Sequence, residues 1–126
     1  MSAKRILIID DESDIREVAG MSLEMVSGWQ VLTAGSGDEG IAKAKQERPD
    51  AILLDAMMPD MDGAATLQKL QTDPSTNQIP VIMFTAKVQA ADRKRFVDSG
   101  VKDVIAKPFD PVKLGSQIAT ILGWSV

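Results

Sequence analysis

The chain has 126 residues, with 18 acidic and 14 basic side chains, a net charge of −4, and neither Cys nor His. That excludes disulfides, thiolate nucleophiles, zinc and iron–sulfur sites, Ser-His-Asp catalysis, and a phosphohistidine carried on this chain. The acidic balance speaks against direct nucleic-acid binding and suits a site for a divalent cation.

No apolar run approaches the ~20 residues of a membrane span. Met1–Arg5 leads into a run too short for a signal-peptide core. The expectation is therefore a cytoplasmic protein without membrane insertion. Its length suits one domain over residues 1–126, with a core of useful size.

Five short apolar runs mark predicted strands: Ile6–Ile9, Val31–Ala34, Ala51–Leu54, Val81–Phe84 and Val104–Ala106. Most do not alternate with polar residues, as expected of strands buried on both faces of a parallel sheet. Helical patterns lie between them. Ile15, Val18, Ala19, Ser22 and Val26 follow the rhythm of one helix face. Ser36-Gly-Asp-Glu39 has capping-box spacing and opens a helix ending near Arg48, before Pro49.

Asp62-Gly63 precedes a third helix carrying Leu67 and Leu70, and the polar segment Gln71–Gln78 reads as a surface loop. Asp92–Ser99 predicts a helix stopped by Gly100. Asp110 with Pro111 predicts a capped helix start before the stripe Leu114, Ile118, Ile121 and Leu122. The pattern is (βα) repeated five times: an α/β, doubly wound parallel sheet with right-handed crossovers.

In such sheets, ligands bind at the carboxyl ends of the strands. The first predicted strand is followed by Asp10, Asp11 and Glu12, the third by Asp55, the fourth by Thr85, and the fifth by Lys107 and Pro108. Taken singly, each has an ordinary structural explanation: helix capping, a β-branched strand residue, a solvated loop charge. Asp55 is the hardest to explain away, because a carboxylate ending a buried strand needs a partner or a function.

Together they place three carboxylates, a hydroxyl and an amine on one sheet edge. Clustered Asp10, Asp11 and Asp55 would repel one another, and a hard cation such as Mg2+ relieves that repulsion. An ionised Asp beside a metal can attack a phosphoryl group, with Lys107 offsetting the charge on the transferred oxygens.

The motifs Ile8-Ile9-Asp10-Asp11-Glu12, Pro49-Asp50-Ala51-Ile52-Leu53-Leu54-Asp55, Met58-Pro59-Asp60-Met61-Asp62-Gly63, Thr85-Ala86-Lys87 and Lys107-Pro108-Phe109 occur in this order. Together they resemble the receiver domain of two-component response regulators over essentially the whole chain, in its single-domain, chemotaxis-regulator-like form.

The resemblance implies a flavodoxin-like fold of strand order 2-1-3-4-5 and a cis Lys107–Pro108 bond. It implies Asp55 as phosphoacceptor, Mg2+ held by Asp11 directly and by Asp10 through water, with Asp55 and the backbone carbonyl of Met57. It also implies that Lys107 pairs with the phosphoryl group and that Thr85 turns toward it. The implied partners are a histidine kinase or histidine phosphotransfer protein, docking near helix one with Asp14, Arg16 and Glu17, and a downstream protein. That target would read the surface of helix four, strand five and helix five.

The chain is expected to be a monomer or weak dimer, with no separate output domain, and not an enzyme beyond self-directed phosphoryl transfer and autodephosphorylation. Met57 and Lys87 are expected to tune hydrolysis.

One departure stands out. Receiver domains commonly carry Tyr or Phe three residues before the strand-five Lys, and this chain has Val104. Val cannot report a switch by moving a ring, and Phe109 reads as a core anchor.

Three alternatives follow from the same residues. An Asp-nucleophile, metal-dependent phosphatase of the haloacid-dehalogenase type wants an acid where Met57 stands. A flavin electron carrier wants a phosphate-cradling loop where this chain is acidic, and aromatics beyond Trp29 and Trp124. The third is a receiver-like scaffold that is never phosphorylated.

Overall fold

The computed structural model describes residues 3–59, 61–86 and 89–124. Five strands alternate with five helices: β1 (Arg5–Ile9), α1 (Ser13–Ser27), β2 (Gln30–Ala34), α2 (Gly37–Glu47), β3 (Ala51–Asp55), α3 (Gly63–Thr72), β4 (Val81–Thr85), α4 (Ala90–Asp98), β5 (Val104–Ala106) and α5 (Leu114–Leu122). All pairings are parallel, in the order β2-β1-β3-β4-β5. This is the flavodoxin-like arrangement expected, and the Lys107–Pro108 bond is cis.

Alternation along the strands divides the core between the two sheet faces. Ile6, Ile8, Leu53, Ile82 and Phe84 pack with Ala19 and Leu23 of α1 and with Leu114 and Ile118 of α5. Leu7, Ile9, Ile52, Leu54 and Met83 pack with Ala44 of α2 and with Leu67 and Leu70 of α3. Val104 is buried in this second cluster. Trp29 lies in the first cluster, and Phe109 packs against it with its ring centre 5.3 Å from that of Phe84.

Several local expectations are corrected. β2 is an edge strand and is largely half-exposed, because nothing pairs beyond it. On α1 the buried side is Ala19, Gly20, Ser22 and Leu23, while Val18 and Val26 are exposed. Ala19 and Ser22 belong to the expected stripe, whereas Leu23 lies well round the helix from Val18 and packs in the core with Leu114 and Ile118 of α5.

Gln71 and Thr72 belong to α3, and only the residues after them form turns; Thr76 is buried there, its hydroxyl donating to the Leu70 carbonyl at 2.7 Å. α4 begins two residues early, at Ala90, and buries no residue. Asp110 caps a turn, accepting from Val112 N at 2.9 Å, and the regular part of α5 starts only at Leu114. The Ser36 cap is present: its hydroxyl accepts from Glu39 N at 3.1 Å, and the Glu39 carboxylate reaches back one residue past the cap, to Gly35 N.

Candidate functional site

The sheet register brings the strand ends together. Ile9 lies opposite Leu54, Asp55 opposite Phe84, and Thr85 opposite Ala106. Residues that end or follow these strands therefore share one edge, and that edge carries Asp10, Asp55, Thr85 and Lys107.

Burial there is severe for polar groups: Asp10 is 0% exposed, Asp55 4% and Thr85 2%. Each has an account. Asp10 Oδ1 accepts from Glu12 N at 2.9 Å and its Oδ2 from Lys107 Nζ at 2.7 Å. Asp55 Oδ1 accepts from Met57 N at 3.1 Å. At the buried Thr85 the backbone carbonyl accepts from Lys107 N at 2.9 Å, which ties the β5 exit to the end of β4.

Lys107 is the cation of the site. Its Nζ also lies 3.6 Å from Asp55 Oδ1 and 3.6 Å from Glu12 Oε1, and 5.0 Å from the ring centre of Phe84. Burial by itself would lower the Lys107 ammonium. The bond to Asp10, with the charges of Asp10, Asp55 and Glu12, outweighs it and holds the group above its ordinary value.

Burial pushes the Asp55 carboxyl up to about 7; the Met57 N–H and Lys107 oppose the rise and Asp10 adds to it. A buried acid poised near neutrality is a mark of functional sites.

Asp10, Asp11 and Asp55 can each offer a carboxylate oxygen, all within 4.8 Å of one another. An all-oxygen set with Asp11 open to solvent fits a hard divalent cation that keeps part of its water shell. Soft metals would want the thiolate or imidazole that this chain lacks.

The response regulator receiver domain family model matches residues 6–119. The chain belongs to that family.

Among solved structures, the receiver domain is similar to the chemotaxis response regulator CheY4 of Vibrio cholerae, with 27% identity and a TM-score of 0.88 over 95% of this chain and 99% of that one. Among curated proteins, it is 42% identical to RpaA of Synechocystis, a DNA-binding transcriptional regulator, over 94% of this chain and 48% of the relative. It is 37% identical to the phosphate regulon regulator PhoB of Escherichia coli over 95% of this chain and 52% of the relative. The receiver domain thus spans about half the length of the curated relatives it matches.

Of the residues expected at the site, Asp10, Asp11, Asp55 and Lys107 are brought together, and Thr85 ends the adjoining strand. Met57 follows at the rim, 60% exposed, an apolar side chain where a phosphatase of the alternative type would carry its second acid. Asp60, Lys87 and the tail residues Ser125 and Val126 lie outside the described residues, so the tuning role expected of Lys87 is not addressed by this geometry. No described helix is long and apolar enough to cross a membrane.

One contributor escaped sequence reasoning: Arg16, expected on a docking face, turns back so that its Nη1 donates to the Asp10 carbonyl at 2.7 Å. Glu12, expected at this edge, reaches Lys107 at 3.6 Å. Arg16 sits one helical turn beyond Glu12, but no spacing rule says which way a long side chain folds.

Proposed function

We propose that this receiver domain is a phosphorylation-controlled signalling switch in which Asp55 accepts a phosphoryl group from the phosphohistidine of a histidine kinase or histidine phosphotransfer protein. The observation that carries the reading is Asp55 itself. It is a buried carboxylate at a strand end, 3.6 Å from a half-buried lysine and grouped with two further aspartates.

An Asp55 carboxylate oxygen forms the new bond to phosphorus while the donor's phosphorus–nitrogen bond breaks, and the electron pair returns to the donor imidazole. Asp55 must be ionised to do this, and Lys107 favours that form. Lys107 then neutralises part of the charge on the transferred oxygens, and Thr85, which ends the adjoining strand, would turn its hydroxyl to donate to one of them.

Magnesium held by Asp10, Asp11, Asp55 and the Met57 carbonyl would supply electrostatic stabilisation of the transferring group. Hydrolysis of the aspartyl phosphate resets the switch, so the chain acts on itself and not as an enzyme on a separate substrate.

The output is a change in the surface of α4, β5 and α5 that controls a downstream protein. Val104 carries no ring, so a swinging aromatic is not its lever. The α4 helix beyond Thr85 is suited to carry the change, because it fully buries no residue and Phe96 packs only partly against the core. A few kcal/mol of differential contact suffices for such a shift.

The test is incubation with acetyl phosphate and magnesium, followed by intact-mass measurement. Wild type should gain one phosphoryl group and Asp55→Asn none. A wild type that binds magnesium yet stays unmodified would overturn the switch and favour the unphosphorylated scaffold.

A further inference from the structure

Asp11 contributes one of the three clustered carboxylates and is the exposed member of the set. Its position depends on the peptide that joins it to Asp10. Asp10 is held at nearly every polar atom: its N donates to the Ala34 carbonyl at 3.0 Å, Oδ1 accepts from Glu12 N, and Oδ2 accepts from Lys107. The remaining group is the carbonyl of the Asp10–Asp11 peptide, and its partner is Arg16 Nη1 at 2.7 Å.

Arg16 lies next to a second charged group. A Cβ built on Gly35 would stand 3.2 Å from Arg16 Nη1 and 3.7 Å from Glu39 Oε1, so the guanidinium and the carboxylate flank the same glycine. Glu39 Oε1 accepts from Gly35 N at 2.8 Å. Its other oxygen lies 3.4 Å from Lys43 Nζ, which also donates to the Thr33 carbonyl.

We infer that Arg16 is a positioning residue for the cation site, clamping the Asp10–Asp11 peptide so that the Asp11 carboxylate stands at a fixed distance from Asp10 and Asp55. The inference rests on the proposed magnesium site and adds a residue that never touches the ion.

Its sign separates it from a field effect. A positive charge near three carboxylates opposes cation binding, so removing it would tighten magnesium binding by a few-fold if charge were all that mattered. Loss of an outer-shell partner that orients a ligand costs about 10- to 100-fold in metal affinity. The clamp therefore predicts the opposite direction, with the larger effect.

The experiment titrates magnesium chloride into unphosphorylated wild type, Arg16→Gln and Arg16→Lys, by calorimetry and by the magnesium dependence of melting, with metal-free melting recorded for each. Arg16→Gln is expected to bind about tenfold more weakly than wild type, with a metal-free melting temperature close to wild type. Lysine keeps the charge but not the planar fork, so Arg16→Lys is also expected to bind more weakly than wild type. It serves as the decisive variant if the Gln form does not fold. A folded variant that binds magnesium as tightly as wild type, or tighter, overturns the clamp and leaves the cation site standing. A wild type that binds no magnesium overturns the cation site, and the clamp falls with it.

Discussion

Asp55→Asn should make the metal-free protein more stable at pH 8. The native carboxyl is raised from 3.8 to about 7, mainly by burial. A native pKa above the unfolded one means that the folded state holds the proton more tightly. Stability is therefore undiminished below about pH 4, falls as pH rises toward 7, and carries the full penalty above 7. At about 1.4 kcal/mol per pH unit, the rise sets a ceiling of roughly 4 kcal/mol on that penalty.

The amide cannot ionise, so the Asn variant escapes the penalty, but it weakens the contact with Lys107 at 3.6 Å. The expected net gain is about 1–3 kcal/mol. Urea unfolding in EDTA at pH 8 and at pH 5 measures it, and the gap between variant and wild type should narrow at the lower pH. An Asn variant no more stable than wild type at pH 8, or a gap that does not depend on pH, would refute the electrostatic account of Asp55.

Lys107→Met should act in the opposite direction: it leaves Asp10 and Asp55 without their shared cation, and metal-free urea unfolding at pH 8 should show a loss of about 3 kcal/mol. Gly63→Ala should also destabilise. A Cβ there would stand 2.7 Å from Ala56 Cα and 2.7 Å from the Asp55 carbonyl oxygen, both backbone atoms that cannot step aside. The expected cost is about 1–3 kcal/mol. The displaced segment is the one that places Asp55 and Met57, so slower labelling by acetyl phosphate should accompany the lower melting temperature.

The legible parts of the fold were those in which one local rule acted alone. Runs such as Ile6–Ile9 and Ala51–Leu54 have few alternatives to a buried parallel strand, and they are found in β1 and β3 with one further residue each. The Ser36 cap was readable because a hydroxyl three residues before an acid has a specific backbone partner. The face of α1 was readable only in part: Ala19 and Ser22 of the expected stripe are buried, but Val18 and Val26 are exposed, and Leu23, outside that stripe, packs in the core with α5. The start of α5 was mislocated for a similar reason: Asp110 and Pro111 favour a helical turn, and here that turn precedes the regular helix.

At the site, Asp10, Asp55, Thr85 and Lys107 were legible because each ends or follows an apolar run, and parallel topology sends all such ends to one edge. The sequence by itself determined the number and order of the βα units, and with them the chemistry gathered at that edge. Tertiary structure decided the rest: the 2.7 Å bond of Lys107 to Asp10, the burial that lifts Asp55 toward neutrality, and the return of Arg16 onto the Asp10 carbonyl. The reason is physical. Residue type and spacing are local, whereas burial, pairing and side-chain direction depend on groups that meet only when distant segments pack; Asp10 and Lys107 lie 97 positions apart.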